Sequence, residues 1–211
     1  MPLMKDENEI SRLREKYPIL THTNGHLYPV LKPHDNVDKY HQYQGKILCA
    51  TSGQQDREFY ALRCNQNKEQ GGMVNWSIPF QDGLGENRIF IFEKIKDEFY
   101  EYRVPSDFFV PIVSETNCFS GEWVSKIDVV PLAVRHGTKD EIIQKTSAGI
   151  YLIGDKEKFL KKKKDDDFMA KLKNPNMVLS AIRELLKEGV LVQVKPPFIR
   201  PSLERLRRSN G

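Results

Sequence analysis

The chain has 211 residues, 39% of them hydrophobic and 10% aromatic, and its 33 Lys and Arg against 29 Asp and Glu give a formal net charge of +4. That length and aromatic content suffice for a buried core and exclude disorder over the whole length. Three scattered cysteines, Cys49, Cys64 and Cys118, with no CxxC pair, exclude a disulfide framework or a thiolate zinc site, and no stretch approaches the roughly 20 apolar residues of a membrane span. The expectation is an intracellular protein, cytoplasmic or, in a eukaryote, nuclear, with no membrane partner.

From Asp6 to Tyr17 the apolar positions Ile10, Leu13 and Tyr17 recur at helical spacing among charged residues, which predicts a short amphipathic helix ended by Pro18 and packed on the sheet that follows. Between Pro18 and Gly45 lie three prolines and four histidines with little periodicity, the pattern of an irregular arm. The segment from Lys46 to Val113 reads as a run of strands, KILCAT, REFYALRC, MVNWSIPF, RIFIFEKI, EFYEYRV and FFVPIV, separated by turn-forming pieces. Short strands with short turns imply an antiparallel meander, and RIFIFEKI with EFYEYRV reads as a hairpin. The four consecutive apolar residues Ile89 to Phe92 predict a strand covered on both faces. Its neighbour alternates, with Phe99, Glu101 and Arg103 on one face and Tyr100, Tyr102 and Val104 on the other.

Beyond residue 114 the expectations are a strand in KIDVVPLAV, a short helix at TKDEIIQK and a strand at AGIYLIG. The charge-dense EKFLKKKKDDDFMAKL suits a helix or a linker. In MVLSAIRELLKEG, Val178, Ile182, Leu185 and Leu186 share a helical face, Gly189 stands where the helix would close, and VLVQVK then reads as a strand. The predicted fold class is α+β: an antiparallel sheet or partly open barrel with an N-terminal helix and a C-terminal helical, basic region that suits a winged-helix-like appendage. The corresponding division is residues 1–44 for the helix and histidine-rich arm, 45–155 for the β domain, and 156–211 for the basic region.

Catalytic motifs are few. The common metal-dependent nuclease core needs Asp or Glu, one spacer and Lys, because carboxylates hold the metal while the Lys steadies water or phosphate. No such triplet occurs, and the nearest substitutes are Glu101-Tyr102-Arg103 and Glu86-Asn87-Arg88. Arginine binds phosphate but is a poor proton carrier, so surface charge pairing is the plainer account. If the protein is an enzyme, a nuclease or hydrolase of non-standard active site is the first expectation, with Glu101 and Arg103 the catalytic candidates. Gly149-Ile150-Tyr151 lacks its second half, and Asp82-Gly83-Leu84-Gly85-Glu86 lacks the remainder of a phosphate loop, so these read as a buried strand and a hairpin turn.

His22, His26, His34 and His41 fall within twenty residues of one another, and imidazoles bind divalent metals well. They are the candidate metal ligands of a small metalloenzyme; scattered histidines on a surface arm are the alternative. Free Cys49 and Cys64 within predicted strands suit small buried hydrophobes, and Cys118 in a polar loop is the one to test for reactivity.

The charge is unevenly placed. Residues 151–211 hold 15 Lys and Arg against 8 Asp and Glu, whereas residues 1–150 hold 18 against 21. Lys161 to Lys164 are nearly cancelled by Asp165 to Asp167. Lys171, Lys173, Arg183, Lys187, Lys195, Arg200, Arg205, Arg207 and Arg208 lie outside that block with few acids between them. Phosphate neutralisation is additive and tolerant of position, so these nine are the candidate nucleic-acid contacts, with DNA ahead of RNA. Tyr100 and Tyr102, on one strand face, would stack on unpaired bases if exposed, and fill a core if not. A non-catalytic protein docking its basic face on an acidic partner is the competing reading.

Overall fold

The computed structural model describes residues 4, 6–35, 45–64, 74–82, 85–113 and 119–199. In chain order the first elements are α1 (Glu7–Lys16), β1 (Ile19–Asn24), β2 (His34–Asp35), β3 (Lys46–Thr51), α2 (Gln54–Leu62), β4 (Asn75–Gln81), β5 (Glu86–Phe92) and β6 (Glu98–Pro105). They are followed by β7 (Val110–Val113), β8 (Phe119–Ser125), β9 (Ala133–Thr138), α3 (Lys139–Lys145), β10 (Gly149–Ile153), α4 (Lys156–Lys162), α5 (Asp166–Lys173), α6 (Val178–Lys187) and β11 (Leu191–Lys195). The class is α+β, with open sheets. No helix among the described residues is long and apolar enough to cross a membrane.

The chain divides into two units, each built from two separated stretches: Met1–Leu62 with Asp97–Lys139, and Arg63–Lys96 with Asp140–Gly211. In the first, the strands run β7-β8-β3-β1-β6-β9, antiparallel throughout, and β2 adds to β3. Helix α1 starts where the Asp6 carboxylate accepts hydrogen bonds from the Asn8 and Glu9 amides, at 2.9 and 3.3 Å. Its Leu13 and Tyr17 pack on the apolar face of the sheet, against a core of Leu20, Leu48, Tyr102, Val104, Phe109 and Trp123. The opposite face lies under α2, which packs on β1 and β6.

Four sequence expectations change here. REFYALRC is not a strand. Its first part is the C-terminal portion of α2, because Glu58, Phe59, Ala61 and Leu62 bury one helical face and Gln54 Nε2 donates to Glu58 Oε1 one turn away, at 3.0 Å. The supposed irregular arm contains β1, an interior strand between β3 and β6, whose alternation is carried by Thr and His rather than by apolar residues. RIFIFEKI and EFYEYRV do not pair: β5 belongs to the second unit and β6 to the first. Within KIDVVPLAV only the end is strand, since β9 starts at Ala133 and Val129 makes a single bridge to Leu31.

The second unit has a four-stranded sheet in the order β11-β10-β5-β4. β4 and β5 form an antiparallel hairpin, closed by the Asp82 amide donating to the Gly85 carbonyl at 3.0 Å. β10 runs parallel to β5, and a parallel pair needs a long connection; here the connection is the entire second stretch of the first unit. As expected, Ile89 to Phe92 are fully buried. Phe159 of α4, Phe168 and Leu172 of α5, and Val178, Ala181, Ile182 and Leu185 of α6 share one core with Ile78, Phe80, Ile89 and Ile91. The strands between residues 45 and 155 are thus divided between two sheets, and the C-terminal helices close the core of β4 and β5. Gly189, at φ +69°, ends α6 in the left-handed conformation, and β11 then becomes the edge of this sheet.

The Lys and Asp block separates across a helix junction. Lys161 and Lys162 occupy the last turn of α4, Asp166 and Asp167 the first turn of α5, and Asp165 caps α5 by accepting from the Asp167 and Phe168 amides at 3.0 and 3.1 Å. Each sign sits at the helix end whose dipole it complements.

Candidate functional site

Cross-strand register assembles the charged face of the first unit. Thr21 and Thr23 of β1 stand opposite Arg103 and Glu101 of β6, and Ala133 and Arg135 of β9 stand opposite the same two residues on the other side. Directly opposed residues share a face, so Thr21, Thr23, Glu101, Arg103 and Arg135 lie together, while Leu20, His22 and Tyr102 point into the apolar core or its margin. Glu101 is buried, and its Oε2 lies 3.7 Å from Arg57 Nε of α2 and 3.6 Å from Arg135 Nη2. The Arg135 guanidinium also sits over the Phe99 ring at 5.7 Å.

Beside this group is a polar cleft of about 190 Å³, lined chiefly by Thr21, Thr51, Ser52, Gly53, Arg57 and Arg103. The Thr51 and Ser52 hydroxyls both donate to the Gly121 carbonyl, at 3.1 and 3.2 Å, and the Gly53 amide donates to Thr51 Oγ1 at 3.1 Å. These bonds fix the turn that opens α2. Arg103 is exposed and has no carboxylate partner among the described residues.

The two catalytic candidates therefore lie on one face with different roles. Glu101 is held between two guanidiniums, whereas Arg103 faces the cleft. Arg57 and Arg135 escaped sequence reasoning: Arg57 fell in a segment read as strand, and nothing in the sequence couples Arg135 to Glu101. In the second tripeptide, Asn87 is buried, donates to the carbonyls of Ser147 and Phe198 at 3.1 and 2.9 Å, and accepts from the Arg88 amide at 2.8 Å. That residue organises backbone.

The histidines are dispersed. His22 Nδ1 lies 2.7 Å from the Cys49 carbonyl and its ring 5.9 Å from that of Tyr102; His26 stacks edge-on with Tyr28; His34 pairs with Ile47 on β2. His41 lies outside the described residues, as does Cys118. Among the described residues no group of three or more His, Cys, Asp or Glu is placed to hold a metal ion. Cys49 is exposed and Cys64 half-buried. Tyr102 is fully buried, so it does not offer a stacking surface, and Tyr100 is half-buried against His136 at 5.2 Å.

The basic residues of the second unit fall into three groups. Lys195 Nζ donates to the carbonyls of Ile143, Gln144 and Thr146, at 2.5, 3.2 and 2.6 Å, and closes the C-terminus of α3. Lys171 pairs with Glu184 at 3.2 Å. Lys162 pairs with Glu188 at 2.8 Å, and that bond raises the lysine's pKa. By contrast, Lys173, Arg183 and Lys187 are exposed and have no ion-pair partner among the described residues. Arg183 lies close enough to Tyr151 to oppose the upward shift that burial imposes on the phenol. Arg200, Arg205, Arg207 and Arg208 lie outside the described residues. Comparison with protein-family models, with curated proteins and with solved structures finds no match to this chain.

Proposed function

We propose that the protein binds nucleic acid, DNA ahead of RNA, through phosphate contacts made by α6 and the basic chain beyond β11. The observation that carries this reading is selective. Lys162 and Lys171 are consumed in pairs with Glu188 and Glu184, whereas Arg183 and Lys187, one turn apart on the solvent side of α6, have no ion-pair partner among the described residues, and neither has Lys173 at the end of α5. The sequence then adds Arg200, Arg205, Arg207 and Arg208 against Glu204 alone. Surplus cations of this kind release condensed counterions on binding and need no base-reading motif. Hydrolysis is not part of the proposal, because Glu101 is already committed to Arg57 and Arg135.

Fluorescence anisotropy with labelled duplex and single-stranded DNA tests it. The wild-type chain binds with an affinity that falls steeply with salt. Replacing Lys173, Arg183 and Lys187 together by Ala flattens the slope of log K against log salt by about 2–3. An undiminished slope, or no binding by the wild-type chain, refutes the proposal.

A further inference from the structure

The two strand orders end on β7 and β9 in the first unit and on β4 and β11 in the second. A strand at a sheet edge carries unpaired backbone groups that invite another chain, and folded proteins ordinarily block them with proline, bulges, charge or covering chain. Three of these edges are blocked. β7 contains Pro111, whose carbonyl accepts from the Met4 amide at 3.1 Å. β4 contains Pro79, and its Gln81 amide donates to the Pro175 carbonyl at 3.3 Å. The ladder of β11 with β10 is broken by a register shift between Ile150 and Tyr151. In β9, by contrast, Ala133 to Thr138 contain neither proline nor lysine and pair with β6 in unbroken register. Its one guanidinium, that of Arg135, is drawn back over its own sheet by Glu101 and the Phe99 ring.

The ladder fixes which backbone groups of β9 face outward. The Lys139 amide donates to the Asp97 carbonyl at 2.9 Å, one step beyond the pair Glu98 with Thr138. Antiparallel pairs alternate between bonded and non-bonded, so Gly137, Arg135 and Ala133 exchange bonds with β6, while the N–H and C=O groups of Val134 and His136 point to the open edge. Ala133 to His136 are all exposed, Val134 at 42%, and Leu132 just ahead of the strand is 61% exposed. Val134 stands opposite Tyr102 on the apolar face, and Tyr28 lies on the same side with its amide on the Tyr102 hydroxyl. An apolar margin therefore borders backbone groups that have no partner among the described residues.

The strand is complementary to itself. When two copies of one strand pair antiparallel about a two-fold axis, the residue on the axis sets every other contact. With Val134 on the axis, its outward groups bond reciprocally to those of Val134 in the second copy, and Leu132 of each copy comes beside His136 of the other. The small Ala133 then faces Arg135, so neither guanidinium meets its own copy. With Arg135 on the axis, two like charges would stand directly opposed, which destabilises a sheet. With His136 on the axis, Val134 would face Thr138 and the apolar contact would be lost. The Val134 register also extends the row of Tyr102 and Val134 into Val134 and Tyr102 of the second copy. We propose that the protein forms a symmetric dimer by antiparallel pairing of β9 with β9 of a second copy, centred on Val134. The interface lies in the first unit, so it goes beyond the nucleic-acid reading and does not depend on it.

Analytical ultracentrifugation of the full chain, from about 1 µM to about 1 mM, tests it. The wild-type chain passes from monomer to dimer as concentration rises. Val134→Lys sets a charge against its own copy on the axis and raises the dissociation constant about tenfold or more. Val134→Pro removes the outward amide and leaves the bonds to β6 in place, because Val134 makes none of them, and it too weakens the dimer. Val192→Lys, on the β11 edge, leaves dimerisation unchanged. Amide exchange on the wild-type chain needs no variant: Val134 and His136 gain protection with concentration, whereas Arg135 and Gly137, bonded to β6, are protected throughout. If an unrelated extended segment fills this edge instead, the purified chain stays monomeric at every concentration, and that result overturns the proposal. A dimer that persists undiminished in Val134→Lys and Val134→Pro, or one in which the Val134 and His136 amides gain no protection, overturns it as well.

Discussion

Tyr102 shows how much one side chain on the core side of β6 organises. Its ring is fully buried, its hydroxyl donates to the His26 carbonyl at 2.7 Å, and it accepts from the Tyr28 amide at 2.8 Å. The phenol thus holds the turn that leaves β1. Burial raises its pKa, with the Tyr28 amide opposing in part, so the hydroxyl stays protonated and able to donate at neutral pH. Tyr102→Phe keeps the ring and removes both bonds, leaving two backbone groups to find water. We expect a loss of about 1–2 kcal/mol in urea unfolding with an unchanged circular dichroism spectrum, and faster amide exchange at Tyr28. An unaltered midpoint and unaltered exchange would show that the hydroxyl contributes nothing. The sequence permitted both an exposed and a buried Tyr102; its buried state follows from β1 and β9 flanking β6, which no local pattern reveals.

Elements with strong apolar signatures were legible, and those defined by partners were not. The run Ile89 to Phe92 announced an interior strand, and Val178, Ile182 and Leu185 announced the buried face of α6. Helix α2 was misread because Phe59 and Tyr60 favour strands locally, while its helical burial of Glu58, Phe59, Ala61 and Leu62 depends on the sheet beneath it. Strand β1 was missed because Thr21, His22 and Thr23 carry no apolar alternation, and without β1 the pairing of Thr21 with Arg103 was invisible. The candidate cleft was legible only as Arg103. A further element-level feature is the pairing of Phe99 with Gly137 across β6 and β9. The Phe99 ring lies over the glycine, and a Cβ there would stand 2.8 Å from ring atom Cε2 and closer still to Cζ. Gly137→Ala therefore forces the buried ring to shift, at a cost of about 1–3 kcal/mol, and disturbs the Arg135 guanidinium stacked on it. Phe99→Leu added to Gly137→Ala recovers part of that loss in thermal unfolding, because the two changes share one contact. Strict additivity of the two single losses would contradict the proposed clash.

At the scale of the whole molecule, each unit is closed by chain segments far apart in sequence, so its integrity depends on contacts that join its two stretches. Linear reading could not expose this, since β5 and β6 are separated by a short turn and yet enter different sheets. In the second unit, Glu93 at the end of β5 is such a junction. Its Oε1 accepts from Lys156 Nζ at the start of α4 at 2.9 Å, and its Oε2 from the Val74 amide ahead of β4 at 3.2 Å. The bond from Lys156, aided by the Val74 amide and opposed by desolvation, lowers the carboxyl's pKa. A depressed folded-state pKa means that the unfolded chain binds the proton more readily. The stabilisation is complete above the ordinary carboxylate range and fades as pH falls through the lower folded value. Both partners are partly solvated, which limits the contribution to about 1 kcal/mol or less. Glu93→Gln should accordingly lower the urea midpoint slightly at pH 7 and leave it close to wild type at pH 3, so the two acid-unfolding curves converge as pH drops. A deficit that persists undiminished at the acid end would mean that Glu93 joins the two stretches by shape and not by charge.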